Sequence, residues 1–179
     1  MTISPNIQTY IENSKINGIL CRWDKSILNI FITPITHNIQ NKNFLYSEIL
    51  RGITVWNENL RKNGINIQFQ QIQTPDNADI IIHWVKVGRV YTGMCKYPSV
   101  INGIIKKIYI DIGLKNDCLN KNTTEESIFF TIMHELGHSL GLGHGTEVND
   151  LMYVPNTNHI STPSENDIYV LKQIYGVKV

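Results

Sequence analysis

The chain has 179 residues, 42% of them hydrophobic and 17% charged, with a formal net charge of +1. That length suits one domain with a substantial core, and the near-zero charge argues against a nucleic-acid or anionic-membrane partner. Cys21, Cys95 and Cys118 stand far apart and form no C-x-x-C pair, which speaks against a disulfide framework or a cysteine-rich zinc module.

The N-terminus lacks a basic stretch followed by an apolar run, so no secretory signal is expected and the default compartment is cytoplasmic. No run of about 18 apolar residues occurs, so no membrane span is expected. Residues 1–21 are polar and weakly patterned and are expected to form a loosely packed arm before a domain over 22–179. Ile27 to Thr33, rich in Ile and bounded by Asp24 and Pro34, reads as a strand. From Asn43 to Lys62 the apolar residues recur at spacings of three and four, which predicts an amphipathic helix stopped at Asn63-Gly64.

Ile65 to Ile72 alternates apolar with polar residues as a half-buried strand does. A turn at Thr74 to Asn77 leads to Ala78–Val85, a nearly continuous apolar strand of the fully buried kind. A loop holding Gly88, Gly93, Pro98 and Gly103 is expected next. Ile108, Ile110 and Ile112 alternate with Lys107, Tyr109 and Asp111, a strand with one wet face that suggests a sheet edge. Thr123 or Thr124 caps a helix running to about Leu140, with Ile128, Ile132, Leu136 and Leu140 as its buried stripe. A last helix covers Ser164 to Ile174 and stops at Gly176. This order implies an α/β domain with a mixed sheet.

The chemistry concentrates in His134-Glu135-Leu136-Gly137-His138-Ser139-Leu140-Gly141-Leu142-Gly143-His144. Residues four apart share a helix face, so His134 and His138 can place imidazole nitrogens on one ion. Glu135 then points beside the metal, where it can take a proton from zinc-bound water. Gly141 can adopt the left-handed conformation that ends a helix, turning the chain so that His144 arrives as third ligand. Three imidazoles leave one position of a tetrahedral zinc open, the mark of a catalytic site.

This segment resembles the extended zinc motif of the metzincin metallopeptidases, and particularly its matrixin (matrix metalloproteinase) version. Asp150-Leu151-Met152-Tyr153-Val154-Pro155 resembles the Met-turn, with Met152 eight residues after the third histidine. Ala78 to Trp84 resembles strand III of matrixins, Ser164 to Gly176 their C-terminal helix, and Trp23 the start of their catalytic domain. Asp167 matches the buried carboxylate that supports the Met-turn.

The resemblance implies an α/β (α+β) zincin/metzincin fold: a twisted, mixed five-stranded sheet with an active-site helix, Met-turn and C-terminal helix. It implies one catalytic Zn2+ on His134, His138 and His144, Glu135 as general base, peptide or protein substrates, and secretion. A monomer is expected. A substrate is expected to pair with an edge strand around Ile104–Ile112, and residues from Val154 to Ile160 to wall its pocket. Two other readings stay open: an inactive zinc-binding interaction domain, and a zinc amidohydrolase acting on non-protein substrates.

Departures from the family are specific. Residues 86–112 contain no His, so the patterns for structural zinc and calcium are missing and neither ion is expected. The cysteine-bearing latency motif is absent. Gly145 stands where matrixins usually have Ser, and Asn166 replaces the acid that would pair with a freed N-terminus. Tyr153 directly follows Met152, one position too early for the zinc-binding tyrosine of other metzincins. His37, His83 and His159 have no second ligand at useful spacing. The pattern is that of a minimal, bacterial-type matrixin-like domain.

Overall fold

A computed structural model describes residues 4–36, 41–85, 93–116, 121–122, 124–155 and 159–178. The chain begins with helix α1 (Pro5–Asn13), whose start is set by Ser4: its hydroxyl accepts the Ile7 N–H, and proline follows at the first helical position. A small hairpin of β1 (Lys15–Ile16) and β2 (Ile19–Leu20) comes next. Residues 5–21 therefore do not form the loose arm that their polarity suggests. Tyr10 is fully buried, and Ser14 and Cys21 are nearly so.

The central sheet is built from β3 (Ile27–Ile32), β4 (Gln68–Ile72), β5 (Ile80–Val85), β6 (Gly93–Ile101) and β7 (Ile104–Gly113), in the order β4-β3-β5-β7-β6. The first four in that order are mutually parallel, and β6 runs antiparallel to β7. This is the mixed five-stranded sheet expected. Helix α2 (Lys42–Lys62) crosses between β3 and β4, as a parallel pair requires.

The edge assignment is corrected. β7 pairs on both sides, with β5 and with β6, so the open edge next to it belongs to β6. Lys107, Tyr109 and Asp111 are wetter because they lie on the sheet face opposite the buried Ile108, Ile110 and Ile112, whatever their lateral position. Of the segment read as a loop, Gly93–Ile101 is strand β6 and Gly103 lies in the turn after it, while Gly88 lies outside the described residues. The pairing of β6 shifts register between Lys96 and Ser99, around Pro98, and proline is tolerated in a strand at such an irregularity on an edge.

Helix α3 (Glu125–Ser139) packs with α2 in one buried cluster that includes Leu28, Ile30, Ile80, Ile82, Ile108 and Ile110. Ile128, Ile132, Leu136 and Leu140 are all fully buried, so the i, i+4 stripe faces the core as read. Short strands β8 (Lys115–Asn116) and β9 (Lys121–Asn122) pair before it. Helix α4 (Glu165–Tyr175) closes the chain, with a capping box between Ser164 and Asp167 and left-handed Gly176 at its end.

Candidate metal centre

Everything at this site hangs on how α3 ends. The last carbonyls of a helix have no internal partners and must find others. Gly141 N–H bonds His138 O at 2.8 Å and Leu142 N–H bonds Gly137 O at 3.2 Å, the paired bonds of a glycine-terminated helix. Gly141 has φ +100, and a Cβ there would overlap the Cys21 carbonyl. Three successive carbonyls at this end are also met by aromatic side chains from separate parts of the chain. Tyr97 Oη donates to His138 O, Trp23 Nε1 to Ser139 O at 2.8 Å, and Tyr175 Oη to Leu140 O at 3.0 Å.

Beyond this end the chain turns back, and His144 meets the two helical histidines. Ring centroids lie 4.7 Å apart for His134–His138, 5.0 Å for His138–His144 and 5.6 Å for His134–His144. One nitrogen from each ring lies within 4.8 Å of the others. His134 Nδ1 faces Leu151 O at 3.1 Å, and His138 Nδ1 faces Leu142 O at 2.8 Å. Nδ1–H donating to those carbonyls leaves both Nε2 lone pairs free for a metal. Burial pushes His134 down to about 4 and His138 to about 3, and lowers His144 as well. All three are therefore neutral near pH 7, the state metal binding needs. Three neutral, pre-oriented imidazoles fit zinc by number, type and protonation.

Glu135 sits beside them, only 6% exposed. Burial raises its carboxyl to about 8, opposed by a hydrogen bond from the Cys95 N–H. Its Oε2 is buried with no hydrogen-bond partner among the described residues. A Cβ at Gly93 would come 2.6 Å from Glu135 Oε1, so glycine there lets β6 rest against α3 at the carboxylate. Sequence reasoning assigned neither Gly93 nor Cys95 to the site.

Residues 150–155, which resemble a Met-turn, pack against the same helix, with Leu151 O facing His134 Nδ1 and Met152 lying against Gly137. Met152 is fully buried, and Gly145 N–H bonds Met152 O at 2.8 Å. Asp167, fully buried, accepts the Leu151 N–H at 2.9 Å, the Ser164 N–H at 2.7 Å and the Tyr10 hydroxyl at 2.6 Å. Asp150 is a second buried carboxylate that sequence reasoning missed. Its Oδ2 accepts Thr146 and Glu147 N–H, and its Oδ1 accepts Ser164 Oγ at 2.8 Å and Asn166 Nδ2 at 3.0 Å. A Cβ at Gly145 would fall 2.7 Å from Asp150 Cβ, so Asp150 takes the space a serine would need.

The other histidines lie elsewhere. His83 stacks on Tyr109 with Nδ1 3.6 Å from Asp111, and His159 sets its ring against Phe130 at 4.8 Å. His37 and Cys118 lie outside the described residues.

The mixed five-stranded sheet, the glycine-terminated helix and the three-histidine cluster have the architecture of a metzincin-type domain. Residues 104–176 match the family model described as matrixin. The chain is 25% identical to human matrix metalloproteinase-26 over 93% of its own length and 64% of that protein. It is 27% identical to mouse interstitial collagenase B over 87% of the chain and 34% of the relative. Against pig interstitial collagenase it is 42% identical over 60 residues, 31% of the chain and 12% of the relative. The chain thus spans less than two thirds of the length of these curated relatives. The chain is thus similar to matrixin catalytic domains, through the family model over residues 104–176 and through low-identity matches along most of its length.

Proposed function

We propose that this chain is a zinc-dependent endopeptidase, with His134, His138 and His144 as metal ligands and Glu135 as general base. The observation that carries the reading is the buried Glu135 carboxylate, its Oε2 unpartnered, next to three histidines whose protonation and orientation suit a metal. Bound zinc supplies Lewis acidity, polarising a carbonyl and bringing water closer to deprotonation. The chain's own part is to place and move protons. Glu135, held by Cys95 N–H, accepts the proton of the attacking water and returns it to the leaving amine. Its raised proton affinity suits that exchange near neutral pH.

An extended peptide is proposed to lie along the open edge of β6, adding a strand antiparallel or parallel to it, with Val154 and Ile160 flanking its pocket. Met152 and Asp167 are proposed to support the ligand triangle from below, with Gly141 as its hinge. The catalytic domain is proposed to span 22–179 and to act as a monomer, since all three ligands come from one chain. No helix among the described residues is long and apolar enough to cross a membrane. The names of the relatives, with "matrix" and "interstitial" in them, support action outside the cell.

Digestion of a peptide library by zinc-loaded protein, run beside Glu135→Ala, tests the reading. Internal cleavage is expected, falling by about 10²–10⁴-fold in the variant. Zinc uptake without cleavage would instead leave an interaction domain, and cleavage of non-peptide amides alone an amidohydrolase.

A further inference from the structure

The three ligands are not held alike. His134 and His138 project from a helix and have their rings fixed by backbone carbonyls. His144 is the exposed member, and among the described residues no hydrogen bond reaches its ring. It also follows Gly141 and Gly143, which by themselves constrain the backbone least. Something must hold it, because ligands left to wander pay ordering entropy when an ion binds.

The C-terminal end of α1 meets this segment. Ser14 Oγ accepts the Gly143 N–H at 2.9 Å and donates to Tyr10 O at 2.9 Å, so both its hydrogen-bonding functions are used. Asn13 Nδ2 donates to His144 O at 3.0 Å. The Asn13 carbonyl packs so closely on Gly143 that any side chain there would overlap it. Two turns back along the helix, Thr146 Oγ1 donates to Asn6 O at 3.1 Å. The helix is itself anchored through Tyr10 to Asp167, the carboxylate that also takes Leu151 N–H.

We propose that the end of α1 is a clamp on the third metal ligand, with Asn13 and Ser14 as positioning residues that act on His144 through its backbone. The proposal rests on the zinc-site reading above. It gives the end of α1 a part in the metal centre, although that helix supplies none of the three histidines.

The test uses the full chain, stripped of metal and titrated with zinc against a chromophoric chelator, with Co2+ absorption as a report on ligand geometry. Asn13→Ala and Ser14→Ala, singly and together, are compared with Thr9→Ala, an exposed position on the same helix, and with His144→Ala. The double variant is expected to lose about 10- to 100-fold in zinc affinity and to change the Co2+ spectrum. Thr9→Ala is expected to stay within about twofold of wild type, and His144→Ala to bind more weakly than the double variant. A lowered melting temperature with unchanged zinc affinity and Co2+ spectrum would mean a merely structural contact and would overturn the clamp. If the double variant does not fold, Asn13→Ala decides, since it removes one exposed side chain. A wild type that takes up no zinc sinks the zinc-site reading itself, whereas a wild type that binds it no better than the variants sinks the clamp alone.

Discussion

The Met152 thioether lies directly against Gly137, in the turn of α3 that separates His134 from His138, with Trp56 closing the same space. A Cβ at residue 137 would overlap Met152 Sδ and come 3.2 Å from Trp56 Cζ2. Glycine inside a helix ordinarily costs about 0.5–1 kcal/mol relative to alanine. Here the sign reverses, because overpacking a filled core costs about 1–3 kcal/mol. Gly137→Ala is expected to unfold at lower urea concentration than wild type. A higher midpoint would show that the sulfur does not fill that space.

Gly93 offers a way to disturb the base without touching the ligands. A side chain there meets Glu135 Oε1 at 2.6 Å and must push β6 or the carboxylate aside. Gly93→Ala is expected to lower kcat on a peptide substrate by about 10²-fold, the scale of a displacement near 1 Å at a reacting group. Zinc stoichiometry should hold at the wild-type value. Loss of metal together with activity would place the damage in the triad instead.

The metal-free protein should be most stable slightly below neutrality. Unfolded histidine titrates near 6.5, whereas His134 and His138 are lowered to about 4 and about 3 by burial. The unfolded chain therefore binds more protons over that interval, and stability falls as pH drops from about 6.5. Glu135 has the opposite sign. Raised from 4.5 to about 8, it binds a proton in the folded state that the unfolded chain has lost, so stability also falls as pH rises toward 8. Two histidines outweigh one carboxyl below 6.5, and the carboxyl acts alone above it. Denaturant titrations of stripped protein at about pH 5, 6.5 and 8 should place the maximum in the middle, with changes on the order of 1–3 kcal/mol. A flat profile would mean that the site is wetter than its burial implies.

Tyr10 and Asp167 join the two ends of the chain through one hydrogen bond of 2.6 Å between buried groups. Tyr10→Phe keeps the ring but leaves Asp167 short of a donor. Such a loss costs about 1–3 kcal/mol. Thermal unfolding should register it, and an unchanged transition would show that Asp167 is satisfied by its two backbone donors.

Features carried by contiguous residues were legible in the sequence. The α3 stripe, the left-handed glycine at 141 and the helix stop at Gly176 each depend on neighbours within one or two turns. What could not be read depends on distant partners. Tyr10 and Asp167 are 157 positions apart, and Ser14 and Gly143 are 129 apart, so nothing local marks either pair. β6 was read as a loop because Pro98 and a register shift break the alternation that identifies strands. The wet face of β7 was taken for an edge, although alternation reports which faces are covered and is silent about lateral neighbours. Nothing local marks the buried role of Asp150, which comes from Ser164 and Asn166 at the start of α4.

The aromatic hydrogen bonds to the end of α3 bear on how the proposed metal centre would behave once its ion is removed. Tyr97, Trp23 and Tyr175 hold three successive carbonyls from β6, the segment before β3, and α4, so the helix end is fastened to three parts of the core at once. Small metallo-domains commonly take their shape from the ion and collapse when it leaves. In this chain the helix end has protein contacts of its own. If the centre binds zinc as proposed, chelation is expected to leave that helix end in place, with the first two histidines still side by side on it.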